Sequence, residues 1–568
     1  MLGGAGLPEP ISPPHVGIGA TVSSSHCISH GVTHVYVSLL PDKHARGVSR
    51  SSLPRDIRLA PFQRVHRVIA VISLEAPSLP LIEHLIGDNR LPTLASLQQQ
   101  GEVVALEPPY LDGGVYATLY TGRHLSEHGI YSLFIWSAPK QRLQLSYDLT
   151  PDDTLFRRLD RAGKRVLAID PPEHPVQGLA NGAVVSGCQL RSRVHLARWS
   201  RPHSLSGILT RQLGEVPRCE ETFGQPSQRH LLHLRDLLLQ APGRLASAVE
   251  RLMKEHSPDV LWVSMAGLHI AGHQFFDPAS VDLLGRSPAE GDLLNDSLAH
   301  MYVEADAALG RVLAVLPDDA DLVVFWPKGM GTETCRSDLL PGMLDRILKP
   351  SSVPQNPAGH DTLTKLRALI PASLRSTVAD ALPDALSLKL TAHLATIGND
   401  WKTVRAFSLP SDGPGMVRLN VRGRERNGIV AESAVNALCN EIAEGLRTYC
   451  DIDGNPCIAG IERPGEHLPP GSKMDWLPDL VIRWSDAQAV NLAGVSSPVY
   501  GTVLRRGSGS GRSGNHVQGS RAIIVSRSGT YRAIDGRNPH LVDVSATVCA
   551  AVGLPHHDLP GQSLLAYR

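Results

Sequence analysis

Short runs of consecutive apolar residues alternate along the chain with longer segments in which apolar residues recur at helical spacing. The runs are rich in β-branched residues and lie at 65–75, 165–170, 259–264 and 321–326. Runs of this kind are typical of strands that are buried on both faces of a parallel sheet. The longer segments predict helices near 80–99, 153–163, 228–256 and 292–316. Because strands that alternate with helices favour βαβ units, the predicted fold class is α/β, with a central, mostly parallel sheet flanked by helices.

The alternation stops in the second half of the chain, where a helical stretch at 362–395 precedes a shorter α+β unit. Strand patterns return at 479–484 and 521–525, before a helix near 542–552. We therefore predict four segments: an N-terminal extension (1–65), a first core segment (66–334), an inserted cap (335–475) and a C-terminal core segment (476–568). Ligands bind at the carboxyl ends of strands in such sheets, so functional residues are expected just after the strands.

Composition narrows the classes of function. Hydrophobic residues make up 42% of the 568 positions, which excludes a largely disordered chain. Lys and Arg together number 55 and are balanced by 55 acidic residues, so nucleic acid is not an expected partner. No apolar run is long enough to span a bilayer and the N-terminus lacks the pattern of a signal peptide, so we expect a cytoplasmic protein without a membrane partner. The 25 histidines stand out, because histidine is the commonest metal ligand among side chains.

An ordered series of motifs follows the predicted strands. Four of them are VISLEAPSLPLIEHLIGDNRLPTLASLQQQG (71–101), EPPYLDGGVYATLYTGRHLSEHGI (107–130), LVVFWPKGMG (322–331) and RSGNH (512–516). In this order they resemble the type I phosphodiesterase / nucleotide pyrophosphatase family of the alkaline phosphatase superfamily, over about residues 66–565. The resemblance implies an alkaline-phosphatase-like core, two metal ions and a Thr or Ser nucleophile that attacks phosphorus.

Several functional positions of that family carry other residues in this chain. By the resemblance, the first-strand metal ligand falls at Glu75, the nucleophile at Asp112, and an Asp-His pair at Pro327 and Lys328. A carboxylate repels phosphate, so the usual phosphoryl-enzyme step is not expected of Asp112. Proline and lysine side chains do not ligate metals, so the second metal site is predicted to be lost. Lys328 would supply positive charge there, pairing with the carboxylates or holding a substrate oxyanion. Asp112 or Glu75 would act as general base.

The other metal site of the family changes in a different way. By the resemblance, the usual Asp of this site falls at His269 and the His four residues later falls at His273. The distant His of the site falls at His516. Three neutral imidazoles suit one zinc ion that keeps an open position for water or substrate. The spacing alone carries little weight, because His124 and His128 show it too. The family positions of the three histidines are what lead us to predict zinc there.

The leading hypothesis is a divergent metal-dependent hydrolase that acts on a phosphoester or another anionic small molecule. An alternative of another class is a catalytically inactive protein that uses the inherited pocket for binding or scaffolding. A third is two-metal chemistry with ligands recruited from His124 or His128. Lys328 could instead form a structural salt bridge, and Asp112 could be a turn former. The glycine- and serine-rich loop 506–515 resembles a flexible linker. Substrate identity and oligomeric state stay open.

Overall fold

The computed structural model describes residues 68–149, 153–173, 179–285, 293–349, 384–394, 400–505, 510–533 and 538–567. The predicted N-terminal extension and most of the helical stretch predicted at 362–395 lie outside the described residues. The boundaries of the predicted core segments and inserted cap stay predictions.

The described strands and helices follow the predicted alternation. The strands are β1 (Ile69–Leu74), β2 (Glu102–Ala105), β3 (Phe134–Ser137), β4 (Arg142–Leu145), β5 (Val166–Ile169), β6 (Gly182–Ser186), β7 (Trp199–Arg201), β8 (Val260–Met265), β9 (Asp321–Trp326), β10 (Gly329–Thr332), β11 (Ala406–Leu409), β12 (Gly415–Leu419), β13 (Ile458–Glu462), β14 (Leu480–Trp484), β15 (Gly494–Ser497), β16 (Gly501–Leu504), β17 (Gly514–Val517), β18 (Arg521–Val525), β19 (Tyr531–Ala533) and β20 (Leu565–Tyr567). The α-helices are Leu79–Gly87, Pro92–Gln100, Val115–Thr121, Leu125–His128, Leu155–Arg161, Ser204–Leu213, Gln228–Glu255, Gly267–Phe275, Ser297–Ala314, Leu340–Leu348, Asp384–Leu394, Val435–Arg447, Pro464–His467 and Asp543–Ala551. None of these described helices is both long enough and apolar enough to cross a membrane.

The largest sheet among the described strands has the order β2-β18-β9-β1-β8-β5-β6-β7. The five strands from β9 to β6 are parallel to one another, whereas β18, β2 and β7 are antiparallel to their neighbours. The predicted α/β class with a central, mostly parallel sheet is confirmed.

Strand β1 explains why the predicted strands are apolar at every position. Ala70, Ile72 and Leu74 contribute to the hydrophobic core on one face of the sheet. Ile69 and Val71 contribute to the core on the other face. Side chains alternate between the two faces of a strand, so a strand that is covered on both faces by helices needs apolar residues throughout.

Two smaller sheets bring further residues toward the carboxyl ends of the central strands. In the first, β10 pairs with β17 and sets Met330 opposite His516. The second has the order β11-β12-β14-β13 and packs with the helices Leu340–Leu348 and Val435–Arg447 around a separate hydrophobic core. The loop between β11 and β12 contributes Asp412 and Gly413 to the surroundings of the candidate site.

Candidate active site

Four of the six predicted site residues lie after the carboxyl ends of neighbouring central strands. Glu75 directly follows β1 and Lys328 lies two residues after β9. His269 and His273 are on the helix Gly267–Phe275, which follows β8. The pairing of β10 with β17 adds His516 from the C-terminal part of the chain. These are the positions at which parallel α/β sheets hold ligands.

The three predicted metal-binding histidines come together. Donor atoms of His269, His273 and His516 all lie within 4.8 Å of one another. The ring centroids are 4.8 Å apart for His269 and His273, and 4.7 Å apart for His273 and His516. The Nε2 atoms of His273 and His516 are separated by 3.1 Å. We call these three residues the three-histidine group.

The hydrogen bonds of the three-histidine group leave nitrogens available for a metal. His273 donates from Nδ1 to the carbonyl oxygen of Gly514 at 2.8 Å, which leaves Nε2 with a lone pair. His269 Nδ1 is buried without a hydrogen-bond partner among the residues that the structure describes. The Nε2 atoms of His273 and His516 hydrogen-bond to each other at 3.1 Å, and a tetrahedral zinc ion, whose ligand nitrogens lie roughly 3.3 Å apart, would replace this bond. The residues present therefore fit the metal that the sequence predicts.

Protonation also suits metal binding in the three-histidine group. Burial lowers the pKa of His273 to about 4, although the charge of Glu221 opposes this effect. Burial is also the main cause that holds the pKa of His269 and His516 well below the usual histidine value, and the nearby positive charge of Lys328 adds to it. All three imidazoles are therefore neutral at pH 7, which is the form that ligates metals.

Two residues beside the three-histidine group were missed by the sequence analysis. His195 Nε2 lies 3.5 Å from Glu221 Oε1, and His269 Nε2 lies 3.7 Å from the same oxygen. Burial opposes the ionisation of Glu221, but His273, His195 and Arg512 together hold its pKa well below the usual value. Neither His195 nor Glu221 lies in a recognisable motif. The surplus of histidine was the one signal in the sequence that applied to His195, and no signal applied to Glu221.

Arg512 connects three carboxylates near the histidines, from the fully buried Glu333 to the exposed Asp412. Its guanidinium lies 2.8 Å from Glu221, 3.4 Å from Glu333 and 3.3 Å from the carboxylate of Asp412. Only 3% of the Arg512 side chain is exposed. The interpretation of loop 506–515 as a flexible linker is therefore wrong for its described part, 510–515, because tertiary ion pairs fix a segment whose composition is typical of linkers.

Glu75 and Lys328 lie close to Tyr116. Glu75 is fully buried and accepts hydrogen bonds from the hydroxyls of Ser73 and Tyr116. Burial raises the pKa of Glu75, although these two bonds and the charge of Lys328 oppose the rise. The Lys328 Nζ lies 5.7 Å from the Tyr116 ring centroid, and Lys328 is only 4% exposed. Within the described part of the chain, Lys328 makes no hydrogen bond and no ion pair within 4.0 Å. The salt-bridge alternative for Lys328 thus has no contact in its favour there.

Asp112 begins a short 3₁₀ turn, Asp112–Gly114, that leads into the helix Val115–Thr121. The turn-former interpretation therefore describes its backbone. Its carboxylate is half-buried and has no hydrogen bond or ion pair to any residue that the structure describes. A Cβ built on Gly413 would lie 3.7 Å from Asp112 Oδ2, so only a small residue leaves this space beside the carboxylate open. Burial raises the pKa of Asp112, and the charges of Lys328 and Arg483 oppose the rise.

His124 and His128, the candidates for recruited ligands, do not join the three-histidine group. His128 accepts a hydrogen bond at Nδ1 from the backbone of Ile130, and its Nε2 lies 3.1 Å from the Thr118 hydroxyl. His124 packs edge-on against His540. Both ring nitrogens of His128 are thus already used within the fold.

Glu173 is another residue that the sequence analysis missed. It has a left-handed backbone conformation with φ of 60°, which is uncommon for a residue other than glycine. Its backbone N–H donates to the carbonyl oxygen of His195. Burial raises the pKa of Glu173 to about 7, although the charges of His195 and Lys328 oppose the rise. Glu173 thus adds a carboxyl group near the site that can exchange a proton at neutral pH.

Comparison with known proteins agrees with the sequence motifs. The profile of the type I phosphodiesterase / nucleotide pyrophosphatase family matches residues 69–490. No curated protein sequence matches the chain. Similar solved structures include phosphonoacetate hydrolase from Sinorhizobium meliloti in complex with phosphonoformate. The two sequences are 12% identical, the alignment covers 86% of this chain and 96% of that chain, and the TM-score is 0.47. Human ectonucleotide pyrophosphatase / phosphodiesterase 5 has 9% identity, coverage of 88% and 99%, and a TM-score of 0.42. The murine protein of that name has 11% identity, coverage of 88% and 100%, and a TM-score of 0.39.

Proposed function

The chain belongs to the type I phosphodiesterase / nucleotide pyrophosphatase family, and on this premise we propose that it is a divergent hydrolase of anionic phosphoesters that uses a zinc ion held by His269, His273 and His516. The convergence of these three neutral imidazoles within 4.8 Å is the observation that carries the proposal. A zinc ion bound there supplies double positive charge and can bring the pKa of a water molecule to about 7.

Lys328 would bind an oxygen of the phosphoryl group. Its ammonium is buried beside the three-histidine group and, among the described residues, has no anionic partner within 4.0 Å. A buried charge without a partner is costly, and a substrate oxyanion would remove that cost. This role replaces positive charge at the position where the family resemblance implies a second metal ion.

Asp112 would act as the general base. Its carboxylate has no hydrogen bond within the described residues, whereas both oxygens of Glu75 already accept hydrogen bonds from Ser73 and Tyr116. Asp112 would take a proton from the attacking water as the water oxygen forms its bond to phosphorus. The ester P–O bond would break, and the leaving oxygen would take a proton from solvent. Glu75 would hold Tyr116 in place and help to balance the charge of Lys328.

One other function is favoured by particular residues, namely ligand binding without turnover. By the family resemblance, Asp112 stands at the position of the nucleophile, and Pro327 with Lys328 stands at the Asp-His pair. A pocket that lost these groups could still bind zinc and a phosphate-containing ligand. Turnover measured at known metal occupancy separates the two functions.

The experiment uses the full chain, stripped of metal by a chelator and then reloaded with zinc. Hydrolysis of p-nitrophenyl phosphate, bis-p-nitrophenyl phosphate and p-nitrophenyl sulfate is followed for wild type, His273→Ala and a control, His84→Ala. The His84 side chain is 68% exposed and pairs with Asp88, which is not a residue of the site. We expect zinc-dependent turnover of a phosphoester in wild type and control, and its loss in His273→Ala. Activity that survives both chelation and His273→Ala would refute the zinc proposal. Zinc binding without turnover of any of the three esters would favour the binding function.

A further inference from the structure

We propose that His195, Glu221 and His269 form a second metal site next to the three-histidine group, with His269 shared between the two. The site would take a divalent transition metal that prefers nitrogen and carboxylate ligands, such as zinc. These residues differ from those at which the family resemblance implies a second ion, where Lys328 now stands. The inference depends on the arrangement of these three side chains and does not require that the protein be a hydrolase.

The distances favour a shared ion over direct hydrogen bonds. The Nε2 atoms of His195 and His269 lie 3.5 Å and 3.7 Å from the same carboxylate oxygen, Glu221 Oε1. An N–H···O hydrogen bond is shorter, with typical lengths of about 2.7–3.2 Å. Two ligand atoms on one tetrahedral ion, with bonds of about 2.0–2.2 Å, are separated by roughly 3.3–3.6 Å. Donor atoms of all three residues lie within 4.8 Å of one another.

The surroundings hold Glu221 in a form that can ligate. Arg512 binds the Oε2 of Glu221 at 2.8 Å, so the carboxylate is oriented and Oε1 is turned toward the two imidazoles. Carboxylates that ligate metals are commonly held in this way by a hydrogen bond to the other oxygen. The Glu221 side chain is 13% exposed, which leaves little room for bulk water to take the place of a ligand.

The two histidines each have a buried ring nitrogen that no described residue contacts by a hydrogen bond. These atoms are Nδ1 of His195 and Nδ1 of His269. Their ring centroids are 4.3 Å apart, closer than the distance of 4.8 Å from His269 to either of the other two histidines. With Nε2 of His269 toward Glu221, Nδ1 is the nitrogen that a shared His269 would offer to the three-histidine group. An imidazole binds two ions through its two nitrogens only as the imidazolate, so binding of the second ion would release the ring N–H proton of His269 to solvent.

The competing interpretation has Glu221 as a hydrogen-bond acceptor that only orients His269 for a single ion. The two interpretations predict different numbers of ions per chain. With a second site, wild type holds two ions, and removal of a ligand found only in that site leaves one. With an orienting role alone, wild type holds one ion, and loss of Glu221 changes its affinity without changing the count.

The experiment counts zinc ions on the folded full chain by native mass spectrometry after metal removal and titration with Zn²⁺. We expect two ions for wild type, and one for each of His195→Ala and Glu221→Gln. The matched control is Glu220→Gln, because Glu220 bonds to Arg218 and to the backbone of Arg193 outside the histidine cluster, and it should keep two ions. Native mass spectrometry resolves folded from unfolded protein, so a variant that folds poorly is still read on its folded fraction.

A third variant separates this inference from the proposed function. His273→Ala removes a ligand of the three-histidine group only, and it should retain one ion if the second site exists. One ion in wild type, with one also in Glu221→Gln and none in His273→Ala, would refute the second site and leave the proposed function standing. Two ions in wild type that both persist in His195→Ala and Glu221→Gln would refute the assignment of these residues. No ion in wild type would refute both proposals.

Discussion

The substitution Arg512→Met should destabilise the protein strongly and in a pH-dependent way. The Arg512 side chain is only 3% exposed. It pairs with the half-buried Glu221 and the fully buried Glu333. Methionine keeps much of the volume and removes the charge, which leaves two carboxylates without their shared cation. Breaking a buried ion pair by removing one partner costs about 3–5 kcal/mol. We expect a loss of that size in the free energy of unfolding at pH 8.

The loss should shrink as the pH falls. The pKa of Glu333 is already raised by burial, and Arg512 is the main influence that opposes the rise. Without Arg512, Glu333 should therefore take up a proton at a higher pH, which relieves the unpaired charge. In wild type, the low folded-state pKa of Glu221 contributes stability that is complete above the ordinary glutamate value near 4.5 and is lost only as the pH falls further. The difference between the two proteins should thus be largest at pH 8 and smaller at pH 5.

The measurement is urea unfolding followed by tryptophan fluorescence at pH 8, 6 and 5 for wild type and Arg512→Met. The matched control is Arg311→Met, which removes an exposed partner of Glu250 from a pair at 2.8 Å with side-chain exposures of 42% and 32%. Exposed pairs contribute about 0–1 kcal/mol, so the control should lose little at every pH. A loss below about 1 kcal/mol for Arg512→Met at pH 8, or one that is equal at pH 8 and pH 5, would show that the buried charges do not depend on this arginine.

Three further predictions concern the site and the core. Lys328→Met should weaken inhibition by inorganic phosphate about 10- to 100-fold with zinc content unchanged, because a hydrogen bond to a charged group is lost. Steady-state kinetics measure the inhibition constant of phosphate, and an unchanged constant would contradict the prediction. Gly514→Ala should weaken zinc binding about 10- to 100-fold in a competition titration. The new Cβ would lie 2.3 Å from the Gly272 carbonyl oxygen, so residue 514 would shift together with its own carbonyl, which orients His273. Unchanged zinc affinity would argue against that orienting bond. Ile72→Ala, in the middle of β1, should lower the free energy of unfolding by about 2–5 kcal/mol, measured by urea unfolding. A loss below about 1 kcal/mol would mean that the hydrophobic core around position 72 closes over the smaller side chain.

The predicted elements follow the structure closely where the local pattern is strong. The helix predicted at 228–256 is found at Gln228–Glu255, and the strand predicted at 321–326 is β9. A strand that is covered on both faces must be apolar at every position, and a helix must repeat its apolar positions every three or four residues. Both requirements act on neighbouring residues, so they can be read from the chain without knowledge of the fold.

The site residues likewise divide into those that a local motif identifies and those that it does not. His269 and His273 share one helix and His516 lies in a motif, so family position was enough to group them, and the structure brings their donor atoms together. His195 and Glu221 belong to loops without a motif, and the sequence held nothing that would link them to His269. Glu173 was missed for the same reason.

The sequence by itself determined the α/β class, the parallel core strands and the three histidines, because periodicity and motifs are properties of residues close together in the chain. Only the tertiary structure decided which residues surround those histidines. The clearest example is loop 506–515, where composition favoured a flexible linker. Arg512 in that loop is instead buried against Glu221, Glu333 and Asp412, which come from three distant parts of the chain. Ion pairs between distant residues leave no local pattern, because their partners become neighbours only when the chain has folded.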